Sequence, residues 1–151
     1  MEKKKLLQKA FIDGNLPSHI TYCFLDHCQQ KDDCIHYQCA LYKPVGVTKG
    51  TTVFPDALRS GSCAYFAPLR IVRMAWGFDR LFTDVKVKDA PALRAAMKAC
   101  LGSKGQYYRY KLGQLKLLPE QQDAIRQIFA AQGYGHVAFD FYDEELDLTQ
   151  C

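Results

Sequence analysis

The spacing of apolar positions changes along the chain, and each change predicts an element. Leu6, Leu7, Ala10 and Phe11 share one face of a helix over residues 1–12, with Gly14 as its stop. Residues 13–66 keep no such period. They are broken by the turn-like runs Lys43-Pro44-Val45-Gly46 and Lys49-Gly50-Thr51-Thr52, so little regular structure is expected there beyond a helix from His36 to Tyr42. From Pro68 the pattern becomes regular. Val72, Met74, Trp76 and Phe78 alternate with Arg73, Ala75, Gly77 and Asp79, which predicts a half-buried strand. Asp89 and Pro91 open a helix whose Leu93, Met97, Cys100 and Leu101 form one stripe, ended by Gly102. Tyr108, Tyr110 and Leu112 alternate with Tyr107, Arg109 and Lys111, giving a second strand that Gly113 turns into a hairpin with Gln114–Leu117. Pro119 and Glu120 start another helix, with Ile125, Ile128 and Phe129 inward and Gly133 as its cap. A last strand has Val137, Phe139 and Phe141 on one face.

This order predicts an α+β fold: an antiparallel sheet with helices on one face, preceded by an irregular N-terminal cysteine-rich metal-binding region. At 151 residues the chain reads as a single domain, with the cysteine region at 13–66, the α+β core at 67–145 and a tail at 146–151. Trp76, Phe78, Leu93, Met97, Ile125, Phe129, Phe139 and Phe141 are the expected core. Hydrophobic residues at 48% and charged residues at 24% exclude a disordered or coiled-coil chain. No apolar run reaches the roughly 18–20 residues that span a bilayer, and no apolar signal core follows Met1–Lys5, so a cytoplasmic, non-membrane protein is expected.

Charge sharpens this picture. Residues 1–139 hold all 20 basic side chains against 11 of the 16 acids, a net +9 that Asp140, Asp143, Glu144, Glu145 and Asp147 then reduce to +4. A basic body attracts phosphate-rich partners, while an ordinary solvated surface with an acidic tail is the plainer reading. The stretch Gly102 to Leu118 contains no acid, and Lys104, Arg109, Lys111 and Lys116 interleave there with Tyr107, Tyr108 and Tyr110. On a strand this mixture suits single-stranded RNA or DNA, with bases stacked on Tyr107 and phosphates met by the cations. Tyrosines packed on the core with lysines facing water would produce the same pattern.

The chemistry-bearing signal is the cysteines. Cys23, Cys28, Cys34 and Cys39 lie within 17 residues as Cys-x4-Cys-x5-Cys-x4-Cys, with His19, His27 and His36 among them, and Cys63 follows. A reducing compartment argues against a disulfide framework, and four soft thiolates suit Zn2+ or an iron–sulfur cluster. The tight Cys-x2-Cys knuckle is absent, so reduced thiols acting as small hydrophobes are the competing reading. The turn-forming run Arg59-Ser60-Gly61-Ser62 can swing Cys63 back to the cluster, which makes Cys23, Cys28, Cys34 and Cys63 the candidate ligands and Cys39 the spare. Cys100 reads as core and Cys151 as frayed.

The chain resembles a family of small uncharacterised bacterial proteins, a domain of unknown function with an N-terminal cysteine cluster. The resemblance rests on Cys23-x4-Cys28-x5-Cys34, on Gly61-Ser62-Cys63-Ala64-Tyr65-Phe66, on Gly77-Phe78 and on Tyr107-Tyr108-Arg109 with Gly113. It continues through Leu118-Pro119-Glu120-Gln121-Gln122, Ile125-Arg126, Gly133, and Phe139-Asp140 with Tyr142, and covers roughly residues 20–145. It implies the quartet without Cys39 and implies no activity. The expected function is therefore a metal-binding protein, with zinc as the cofactor, acting as a regulatory or nucleic-acid-associated module. An iron–sulfur redox or sensor protein, or a protein–protein interaction module, is the alternative. No phosphate loop, nucleophile elbow or His-Glu-x-x-His motif points to an enzyme, and His136 beside Asp140 is the nearest approach to an acid–base pair.

Overall fold

The computed structural model describes residues 2–14 and 16–151, and is an α+β protein with five α-helices and two small sheets. The chain divides into two compact units, Met1–Ile71 with Leu146–Cys151, and Val72–Glu145. Among the described residues no helix is long and apolar enough to cross a membrane.

The first unit contains α1 (Glu2–Asp13), β1 (Thr21–Cys23), α2 (Ile35–Tyr42) and β2 (Thr51–Val53). β1 and β2 pair in parallel, Thr21 opposite Thr51 and Cys23 opposite Val53. The cysteine region is thus more regular than its turn residues suggested. Leu7 of α1 and Ile35, Cys39 and Ala40 of α2 close a core with Tyr22, Ala67, Leu69 and Leu146. Extended chain around Cys34 and Pro68 frames α2, where the Ile35 and Leu69 N–H groups donate to the Ala67 and Asp33 carbonyls, both at 2.8 Å. The segment 146–151 is no loose tail. Arg70 bonds the buried Asp147 at 2.8 Å, and Thr21 N–H donates to the Cys151 carbonyl at 3.1 Å.

The second unit holds β3 (Ile71–Trp76) from Val72 on, α3 (Ala90–Cys100), α4 (Lys104–Lys111), α5 (Pro119–Ala131) and β4 (Phe141–Leu146) as far as Glu145, with β3 paired to β4 antiparallel. Phe78, Leu81, Leu93, Met97, Tyr107, Leu117, Ile125, Phe129 and Phe139 fill its core. α5 is fixed at its start by two glutamines. Gln121 accepts the Leu118 N–H at 2.9 Å, and the buried Gln122 donates to the Arg73 and Leu117 carbonyls at 2.8 and 2.9 Å.

Four sequence expectations fail here. Residues 107–112 form no strand: α4 is a helix, because Ser103 caps it by accepting the Gln106 N–H at 3.1 Å, the Ser-x-x-Gln spacing of a helix start. Tyr107 points inward at 3% exposure while Leu112, on the other face of the expected strand, is 64% exposed. No hairpin forms with Gln114–Leu117 either; Leu117 instead bridges Ala75 of β3. The last strand begins at Phe141 rather than Val137, with Phe139 buried ahead of it and the Phe141 ring, 52% exposed, stacked on Trp76 at 4.1 Å. Acidic residues 143–145 continue that strand because Lys116 pairs with Asp143 and Glu145. Cys100 is exposed at the end of α3 and is not core.

Candidate metal centre

Four backbone devices bring the predicted ligands to the lining of one small cavity. Cys23 is the last residue of β1, and Cys28 closes a turn in which its N–H donates to the Leu25 carbonyl at 3.1 Å. Cys34 is the extended residue before α2; its carbonyl accepts the first helical bond, from Gln38 N–H at 3.0 Å. Cys63 follows a turn in which Gly61, at φ +86°, donates to the Leu58 carbonyl at 3.0 Å. Cys23, Cys28, Cys34 and Cys63 all line a single small cavity of about 20 Å³, closed by Leu25, Val53 and Leu58 and bordered by Lys31, His36 and Tyr37. That volume is the room of one ion or one water.

Cys39, one turn further along α2, faces the other core of the unit, fully buried. Of the three interleaved histidines, His36 borders the cavity, and its Nδ1 donates to the Thr21 carbonyl at 2.9 Å, which fixes the ring. His19 and His27 are exposed.

The electrostatics around the sulfurs are mixed. Burial pushes the Cys23 thiol up, a hydrogen bond from the Leu25 N–H opposes this, and negative charge on Cys34, Cys28 or Cys63 pushes it up further. The Tyr65 N–H likewise donates to Cys63 Sγ at 3.4 Å. Two sulfurs therefore receive an N–H from two residues on. Thiolates brought together repel one another, a repulsion that a divalent cation relieves. Among the described residues, no three His, Cys, Asp or Glu side chains are grouped closely enough to hold a metal ion. Ligation at this cavity requires the sulfurs to turn inward.

The residues named for nucleic-acid contact do not assemble into one platform. Tyr107 is a core residue against Phe78, 5.1 Å between ring centres, and offers no stacking face. Lys116 is engaged by Asp143 and Glu145, and Lys111 lies 4.0 Å from Asp79. Lys104 and Arg109 are exposed on α4. Asp140 does not orient a base. Its carboxylate accepts the Asp79 and Arg80 N–H groups at 3.0 and 2.7 Å.

A family model described as a family of unknown function (DUF6078) matches residues 1–148. No curated protein and no solved structure matches the chain.

Proposed function

The chain belongs to DUF6078, a family of unknown function, and from its own residues we propose that it is a zinc protein in which Cys23, Cys28, Cys34 and Cys63 hold one Zn2+. The observation that carries this reading is their convergence. Four cysteines from four separate segments, spread over 41 residues, line one ion-sized cavity, whereas Cys39 faces elsewhere. Hydrogen bonds from Leu25 and Tyr65 N–H to two of the sulfurs supply the backbone support that thiolate ligands use. The role is structural. A four-thiolate site has no open position for substrate, and the ion would cross-link β1, the turn at Cys28, the start of α2 and the loop at Cys63. The small cavity, about 20 Å³, favours a single ion over the bulkier iron–sulfur cluster. The zinc-held unit then serves as a binding module.

Co2+ substitution tests this directly. Cobalt added to the reduced chain should develop sulfur-to-metal charge-transfer absorption together with the visible bands of tetrahedral Co2+, and equimolar Zn2+ should abolish both. Cobalt that stays in its pale octahedral aqueous form would overturn the reading.

A further inference from the structure

The two cysteines of the first unit that the zinc reading leaves unused lie against each other. Cys39 is fully buried on α2, Cys151 packs on the same core cluster, and the two thiols are hydrogen-bonded. They come from positions 112 residues apart. The Cys151 backbone is held on both sides: its N–H donates to the Leu148 carbonyl at 3.3 Å and its carbonyl accepts the Thr21 N–H at 3.1 Å. The preceding residues are docked as well, since Asp147 N–H donates to the Arg70 carbonyl at 2.9 Å and Leu146 and Leu148 belong to the same cluster. Nothing therefore has to fold around the pair before the sulfurs can meet.

We propose that Cys151 and Cys39 are a peroxide-reactive dithiol, with Cys151 as the attacking sulfur and Cys39 as the resolving one, whose oxidation ties the segment Leu146–Cys151 to α2. The roles follow from position. Cys151 is partly open to solvent, and Cys39 is sealed in the core. The hydrogen bond has matching polarity. Cys39 S–H donates to the Cys151 sulfur, which outweighs burial and holds the Cys151 thiol below its ordinary value, the direction that supplies thiolate. The Cys151 thiolate attacks the outer oxygen of a hydroperoxide. The O–O bond breaks, the alkoxide takes a proton and leaves as the alcohol, and Cys151 becomes a sulfenic acid. Cys39 sulfur then attacks Cys151 sulfur, the S–O bond breaks, and the departing hydroxide takes the Cys39 proton as water. Two thiols and one hydroperoxide give one disulfide, one alcohol and one water. Both electrons come from the sulfurs and both reduce the peroxide oxygen.

The exposed Cys100 is a built-in control for whether the oxidant has acted. The reduced full chain is treated with hydrogen peroxide, remaining thiols are alkylated, and peptides are mapped by mass spectrometry. The expected result is a Cys39–Cys151 linked peptide with loss of both thiols to alkylation, its complete loss in Cys151→Ser, and a dimedone adduct at Cys151 in Cys39→Ala. Cys39 and Cys151 both still alkylated in the wild-type chain after Cys100 has been oxidised would overturn the proposal. That wild-type arm does not depend on the folding of either variant, nor on whether the quartet binds zinc.

Discussion

Gly77 tests the packing account of the second unit most sharply. It sits at φ +83°, and a β-carbon built there would stand 2.6 Å from Asp140 Oδ2 and 2.7 Å from Asp140 Cβ. Gly77→Ala therefore costs about 1–2 kcal/mol for the left-handed backbone and displaces a carboxylate that accepts two N–H groups, about 1–3 kcal/mol more for a largely exposed site. The expected total is about 2–5 kcal/mol. In an Asp140→Gly background the second part disappears, because no side chain remains to be displaced; Ala would not serve, since the Asp140 Cβ is itself in the way. The double-mutant cycle should then show coupling of about 1–3 kcal/mol. Urea unfolding followed by fluorescence is the assay, and it reports this unit alone because the single Trp, Trp76, stacks on Phe141 within it. Equal costs of Gly77→Ala in both backgrounds would refute the contact.

Other outcomes are expected on the same terms. Phe129→Ala removes a fully buried ring set edge-on to Phe82 at 5.3 Å and should lower unfolding stability by about 3–5 kcal/mol by the same fluorescence assay; a cost under about 1 kcal/mol would contradict its burial. Tyr107→Ala should destabilise this unit by a comparable amount of about 3–5 kcal/mol, and any weakening of oligonucleotide binding should follow the unfolded fraction rather than appear as lost base stacking in folded protein. Burial pushes the Asp147 carboxyl up, but hydrogen bonds from Thr149 and the charge and hydrogen bond of Arg70 outweigh it and hold the group below its ordinary value. A depressed folded-state value gives stability that is complete above the unfolded carboxylate range near 4 and lost as pH falls through the folded value. The first unit should therefore lose stability below about pH 4, and Asp147→Asn should flatten that dependence measured by circular dichroism; an unchanged acid slope would rule the pairing out.

The sequence was most legible where one local device and one apolar period agreed. Pro91 with Leu93 and Met97 marked α3, and Pro119 with Ile125 and Phe129 marked α5, because an amphipathic stripe with a start signal has a single solution. Residues 107–112 misled because three tyrosines favour strand by propensity, while the deciding feature, Ser103 three residues before Gln106, is a single capping bond outweighing them. β4 was displaced for a different reason. Its acids look solvated until Lys116, distant in sequence, is placed beside Asp143 and Glu145. The parallel pairing of β1 and β2 is also non-local, and two three-residue strands carry no period to read. At the candidate site, the turn before Cys63 pointed to its return to the cluster, and Cys39 separated from the others through its place on α2. The N–H···S bonds from Leu25 and Tyr65 were invisible, since they depend on backbone angles and not on residue type. Nor could spacing reveal that Cys39 meets Cys151, a contact made only by the fold of the first unit.

Zinc content of the full chain, measured by elemental analysis across single Ser variants of Cys23, Cys28, Cys34, Cys63 and Cys39, tests the central claim most directly. The account requires one zinc per wild-type chain, with no visible absorption, retained in Cys39→Ser and lost or sharply weakened in each of the other four. A wild-type chain that takes up no metal from excess Zn2+ while all four thiols remain reduced, or zinc that depends on Cys39 and not on Cys63, would contradict it.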